Sequence, residues 1–341
     1  MAMNTSSGLQ RRAQVALGEY PVDAAFSPDG GSAVVAGGEG GLYWLELGDE
    51  AACTRIGSHA GGVLAAAWQP AGALFASSGQ DGEVRLWDSR TLQSNVIHSA
   101  PEWSEGLAFS GNGRLLAVAN ASRLHLFDAA GAEQAMIADH GGNIAALAWR
   151  PKLAEIAAAC NGGVRLHRVG TDVVSRHYEW KGACLTASWR PDGSVLASGL
   201  QDGTVHFWNI AAGTQSQMKG YGAKVAHTGW SANGRHLATA ADRGIVVWEF
   251  AGRGPEGREP IQLNGHTDRI TQMRCAPKGP WLASGGRDCR LLLWRPGFSA
   301  EPLDADLCTA EIALLRFSAD GRVLLAGDGD GGLRIYSVGA G

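Results

Sequence analysis

Several things are scarce in this sequence, and each shortage removes a class of protein. Basic residues are not in excess: 29 Lys and Arg stand against 33 Asp and Glu, a net charge of -4. A protein that grips a phosphate backbone ordinarily shows a basic excess or stripe, so no nucleic-acid partner is expected. No run of about 18 apolar residues occurs, so no membrane-spanning helix is expected. The opening residues, MAMNTSSGLQRRAQ, hold no apolar stretch of the secretory kind. Six cysteines are spread thinly and none forms a CxxC pair. That usage suits a reduced, cytoplasmic setting better than a disulfide framework. No segment keeps up a helical period.

Glycine is abundant, at 49 residues spread evenly along the chain. Even spacing means many tight turns rather than one flexible linker. The turns belong to a repeat. A phrase built as apolar–x–aromatic–polar–Pro–x–Gly recurs as AAFSPDG, AAWQPAG, LAFSGNG, LAWRPKL, ASWRPDG, TGWSANG, MRCAPKG and LRFSADG. Its third residues, Phe26, Trp68, Phe109, Trp149, Trp189, Trp230, Cys275 and Phe317, lie 40 to 45 residues apart. A second phrase follows about 19 residues later each time: LYWLEL, VRLWDS, LHLFDA, VRLHRV, VHFWNI, IVVWEF, LLLWRP and LRIYSV. Such short runs of Val, Leu and aromatics are strand chemistry. Between the two phrases sits another apolar stretch, such as LFASS or VLASG, closed by a Gly/Asp turn.

In this setting VLASGLQDGTVHFWNI, LFASSGQDGEVRLWDS and NGHTDRITQMRCAPKGPWLASGGRDCRLLLW resemble the WD repeat. The period is also that family's. The resemblance runs from about residue 14 to 338, in eight copies. It implies an all-β, eight-bladed WD40 β-propeller, with residues 11–341 as one domain behind a flexible tail at 1–10. The last third strand, LRIYSV, is followed only by Gly339, Ala340 and Gly341. The final blade therefore lacks an outer strand of its own, and Arg11–Leu17 is expected to supply it and close the ring.

The resemblance also implies a His–Ser–Asp–Trp tetrad in each blade, a structural set. It is complete in His59, Ser77, Asp81, Trp87 and in His266, Ser284, Asp288, Trp294. A set repeated at equivalent places is read as internal bracing rather than as a catalytic triad, because a nucleophile would occur once beside an oxyanion site. At the tetrad His position, Trp180 and Tyr221 stand in two adjacent copies. The third copy lacks both His and Asp, so a looser rim is expected there.

For the family, partner contacts fall on the face bearing these turns. Three residues past the tetrad His position come Tyr20, Gly62, Trp103, Asn143, Ala183, Lys224, Arg269 and Glu311. Tyr20, Trp103 and Arg269 depart from the small or polar residues expected, and aromatic and Arg side chains anchor interfaces. The expected partner-binding set is Tyr20, Trp103, Glu105, Trp180, Tyr221, Lys224, Arg269, Arg287 and Glu311. Its mixed charge favours a protein or peptide partner over a polyanion. A monomeric ring held in a larger complex, with no catalytic residue, metal or cofactor, is the expected whole.

Sharper motifs dissolve into the repeat. WDSR at 87–90 matches a short ubiquitin-ligase receptor pattern but is also the repeat's own ending. GDGDGG at 327–332 lacks the third oxygen ligand and the terminal Glu of a Ca²⁺ loop. GGEGG at 37–41 opens no helix that could cradle a phosphate. The run at 252–262, rich in Gly, Pro and charge, reads as a surface insertion. The alternative is a metal- or cofactor-bearing propeller using the channel mouth. It rests on Cys160, Cys184, His140, Cys289 and Cys308 mapping near one face, where converging thiolates and imidazoles could take Zn²⁺.

Overall fold

The second strand of each repeat shows why the sequence folds as it does. Ser32–Gly37, Leu74–Gly79, Leu115–Asn120 and Val195–Gly199 are runs of small and branched residues, buried on both faces along nearly their whole length. A strand that is sandwiched on both sides reads as a continuous apolar run rather than an alternation. The outer strands Ala52–Ser58 and Gln93–Ser99 face solvent and carry polar residues. A computed structural model of the chain describes residues 8–48, 50–138, 140–252, 254–297 and 299–339. Among these residues there is no helix, and eight antiparallel sheets account for the strands.

Each sheet is one blade of an eight-bladed propeller. The first strand of every blade touches the first strand of the next, from Pro21–Phe26 round to Ile312–Phe317 and back again. Eight apolar clusters fill the eight junctions between blades. Period-two geometry distributes neighbours to opposite junctions. Ala117 packs toward blade 4 with Ile144 and Ile156, while Val118 packs toward blade 2 with Ala76 and Val84. Three consecutive junctions are also latched by hydrogen bonds across the blades: the indole N–H groups of Trp149, Trp189 and Trp230 donate to the carbonyls of Ala108, Ala148 and Ser188 (2.9–3.1 Å).

The ring closes through the N-terminal strand. Leu9–Ala16 lies antiparallel to Gly332–Val338, with Leu9 opposite Val338, Ala16 opposite Gly332, and a bulge between Arg11 and Ala13. The Leu17 amide donates to the Gly331 carbonyl (2.9 Å), and the Gly339 amide to the Gly8 carbonyl (3.1 Å). Pairing begins two residues before the expected Arg11, so Leu9 and Gln10 belong to the blade rather than to a tail. Residues 1–7 of the expected tail lie outside the described residues.

Blade 4 departs from the repeat. Glu155–Val169 is a single run of strand that doubles back on itself, since the Val169 amide donates to the Ala154 carbonyl (2.8 Å). Gly162 and Gly163 make the reversal, with φ of 85° and 127°. The insertion after blade 6 is tied back by Arg258, which reaches Glu249 at 3.0 Å.

Candidate functional site

One face of the ring is built from the turns before each first strand and between each second and third strand. Two of its sectors are braced in full. In blade 2 the His59 Nδ1 meets the Asp81 carboxylate at 3.0 Å, and its Nε2 meets the Ser77 hydroxyl at 2.8 Å. The Trp87 indole donates to the same hydroxyl at 2.9 Å. Blade 7 repeats this with His266, Ser284, Asp288 and Trp294 at 2.7–3.0 Å. Both Asp carboxyls are held below the usual range: burial opposes this, and the hydrogen bonds from His and turn amides overcome it. With its partners satisfied inside each set, neither Ser faces an open substrate site.

Other blades reach the same end with residues that the repeat pattern does not mark. Blade 1 has Leu17 where the His would be, and that leucine is buried. Glu19, two residues on, fills the turn instead: its carboxylate accepts the Glu39 and Gly41 amides and the Tyr43 hydroxyl (2.7 Å). Blade 3, expected to be loosely held, is tied by Asn120, whose amide donates to the Glu102 and Trp103 carbonyls (2.7 and 3.2 Å). These substitutes sit off the repeat register, so spacing alone could not reveal them.

Two expected partner residues turn inward. The Tyr221 hydroxyl contacts the Thr239 hydroxyl at 2.6 Å and accepts the Trp248 indole N–H at 2.8 Å. It replaces the tetrad His chemically, and burial pushes its pKa up. Trp180 stacks on His206, ring centroids 3.8 Å apart, and packs against the core between blades 4 and 5. Both are half-buried, and these contacts tie them into their own blades.

The remaining residues stay on the surface. Tyr20 is 45% and Trp103 50% exposed, and Glu105, Lys224, Arg269, Arg287 and Glu311 are exposed as well. Backbone contacts join part of the set into one sector. The Arg287 amide donates to the Arg269 carbonyl (2.8 Å), and the Gly329 amide to the Glu311 carbonyl (2.9 Å). Arg287 and Glu311 form an ion pair at 3.3 Å across the junction of blades 7 and 8. Leu17, bonded to Gly331, carries the sector on to Glu19 and Tyr20. The Tyr20 ring lies on Gly38, where any side chain would collide with it. Trp103 and Glu105 stand apart on blade 3, and Lys224 on blade 6.

The cysteines meet in two backbone-bonded pairs: the Cys184 amide donates to the Cys160 carbonyl (3.1 Å) and the Cys308 amide to the Cys289 carbonyl (2.8 Å). Among the described residues, the three-ligand group that the structure brings within 4.8 Å is His59, Asp81 and Glu83, with no cysteine in it. Glu83 is paired with Arg85 at 2.7 Å. Burial pushes the Cys184 and Cys308 thiols up to about 11.

A closed ring of eight blades, two of them braced by His–Ser–Asp–Trp sets on one rim, is a β-propeller. The sequence agrees: four stretches, 52–88, 173–209, 214–249 and 257–295, match the family "WD domain, G-beta repeat", so the chain carries WD40 repeats. It is similar to Protein groucho of Drosophila melanogaster, 24% identical over 278 residues, which cover 77% of this chain and 37% of that protein. It is similar to Cell division cycle 20.1, cofactor of APC complex, of Arabidopsis thaliana, 24% identical across 74% of this chain and 58% of that one. A third relative is the Intraflagellar transport protein 80 homolog of Mus musculus, 29% identical over 54% of this chain and 23% of that protein. The chain thus spans well under the full length of these relatives. Among solved structures, the computationally designed Ika8 protein superposes with a TM-score of 0.81 over 96% of this chain and 100% of its own, at 19% identity, a likeness of fold alone.

Proposed function

We propose that this ring is a non-catalytic platform that binds a protein or peptide through its braced rim, as one member of a larger assembly in the cytoplasm. The observation that carries the reading is the exposure of Tyr20 and Trp103 on turns fixed from beneath, Tyr20 beside Glu19 and Trp103 above Asn120. Large aromatic rings held on a rigid support lose little entropy on binding, and such residues dominate interface energetics. Arg269, Arg287, Glu311 and Tyr20 form the main sector, with Trp103, Glu105 and Lys224 as outlying contacts. Positive and negative groups alternate there, which suits a partner of mixed charge. Relatives whose names place them in assemblies, such as the cofactor of the APC complex, support the same reading.

The test is affinity capture with quantitative mass spectrometry, comparing wild type, Tyr20→Ala, and a Trp103→Ala, Arg269→Ala double variant. Loss of a specific partner from both variants, with unchanged thermal unfolding, is the expected result. Equal recovery of every partner by all three proteins would remove this surface from consideration.

A further inference from the structure

At several junctions the residue after the aromatic of the first strand reaches across to the turn of the next blade. Gln69 donates to the Gly113 carbonyl (2.7 Å), Arg150 donates to the Gly193 carbonyl (2.8 Å), and Arg190 packs against Gly234. In blade 6 that residue is Ser231, too short to cross, and its hydroxyl turns back to Asn233 in its own turn (2.8 Å). The outer strand of blade 6 is cut short as well. Its pairing stops at Val247 with Ile261, whereas Glu46 in blade 1 and Asp88 in blade 2 keep outer-strand partners to the end. The insertion at 252–262 takes up the difference. Between blades 6 and 7, on the face opposite the braced rim, these changes leave a groove of about 770 Å³ that is open to solvent.

The lining of the groove departs from the repeat. The residue whose carbonyl closes the first turn is Ser32, Leu74, Leu115, Glu155, Val195 and Val323 in six blades, and His236 and Trp281 in blades 6 and 7. Both rings line the groove and are half-buried. Each is backed by a glycine: any side chain on Gly339 would collide with the Trp281 indole, and one on Gly297 with the His236 imidazole. Burial and the Arg235 guanidinium lower the His236 pKa against the pull of Glu249, so at neutral pH the imidazole is an uncharged aromatic surface. Pro277, Pro280 and Pro296 complete the apolar walls and offer no amide N–H. A β-strand laid there would meet few ladder donors. A polyproline II segment forms no ladder and docks on aromatic-lined grooves.

Charge narrows the occupant further. Glu249 is spent on Arg235 (2.6 Å) and Arg258 (3.0 Å). Glu259 and Lys278 also line the groove, both exposed, and among the described residues neither makes an ion pair. Glu259 comes from the insertion, beside the outer strand Ile261–Asn264, while the Lys278 carbonyl lies against Gly321 of blade 8. A basic residue is therefore attracted on one side of the groove and repelled on the other.

We propose that this groove binds a proline-rich segment of a partner protein in the polyproline II conformation, with its pyrrolidine rings on Trp281 and His236 and a basic residue against Glu259. The site is independent of the rim and of whatever binds there.

Isothermal titration tests it with acetyl-hexaproline amide, the same peptide carrying one arginine at its N- or its C-terminal end, and a Gly-Ser peptide of equal length and charge. The proteins are wild type, Trp281→Ala and Glu259→Gln. One peptide per ring is expected. One of the two arginine peptides is expected to bind wild type at least tenfold tighter than plain hexaproline, and the Gly-Ser peptide at least tenfold weaker than that arginine peptide. Trp281→Ala is expected to weaken every proline peptide at least tenfold, and Glu259→Gln to abolish only the preference for arginine. Should Trp281→Ala fail to fold, the exposed Glu259→Gln carries the test. The proposal is overturned if no proline peptide binds wild type, if the Gly-Ser peptide binds as well, if a folded Trp281→Ala binds unchanged, or if the arginine preference survives in Glu259→Gln.

Discussion

The Nε2 atoms of His140 and His167 lie 3.0 Å apart, at the place in blade 4 where blades 2 and 7 join His to Ser. His140 donates from Nδ1 to the Ser122 carbonyl (2.8 Å), so its Nε2 accepts from His167. His167 then has Nδ1 left to accept the Ser175 hydroxyl (2.7 Å). Two imidazoles sharing one hydrogen bond rebuild the brace without the tetrad's own Ser, Asp or Trp.

That arrangement predicts acid sensitivity. Burial, His140 and Arg165 lower the pKa of His167 from 6.5 to about 4. A base with a depressed folded pKa binds fewer protons folded than unfolded between those two values. Its contribution is therefore complete above about pH 6.5 and is lost as pH falls toward 4. The fall from 6.5 to about 4 sets an upper bound of about 3 kcal/mol on the effect. Urea unfolding at pH 7, 6, 5 and 4 is expected to show a steeper loss for wild type than for His167→Gln. Parallel pH profiles would show that the pair does not carry the effect.

The tetrads predict a contrast between serines that look alike in sequence. Ser77→Ala leaves His59 Nε2 and the Trp87 indole unpaired in a buried site, a cost of about 2–3 kcal/mol. Ser198 occupies the matching position in blade 5 but bonds to the Gly199 carbonyl, at 3.3 Å, and to the Cys184 thiol, and the Trp208 indole nitrogen has no partner. Ser198→Ala is expected to cost under about 1 kcal/mol. Denaturant midpoints decide the matter, and equal losses would mean that the shared hydroxyl adds nothing to the brace.

The same contrast marks how far the sequence could be read. Repeat spacing exposes eight blades, the closing strand and the two full tetrads, because each of these follows from a fixed offset. It marks Tyr20, Trp103 and Arg269 as misfits on the rim, and all three are exposed. The same offset reasoning does not reveal how Tyr221 and Trp180 turn into their blades. An aromatic in place of His can point either way, and the choice depends on neighbours such as Thr239 and His206 that lie some 18 to 26 residues off. Glu19 and Asn120 escape it altogether, since a side chain two residues out of register reaches the same turn from another direction.

Ring closure supplies the last prediction. Leu9–Ala16 completes the sheet of blade 8, and Ala13, Val15 and Leu9 pack against the clusters on its two sides. Removing residues 1–16 strips the strand Gly332–Val338 of its partner and leaves a row of backbone donors and acceptors open to solvent. An unprotected edge of this kind pairs with whatever strand it meets. The shortened chain is expected to unfold at a lower temperature than the full chain, and to associate as its concentration rises. Light scattering after size exclusion, across a tenfold range of concentration, reads the second effect directly. A shortened chain that stays monomeric and melts with the full-length protein would mean that the ring is held by its eight interblade clusters alone, the N-terminal strand being an accessory to a circle already closed.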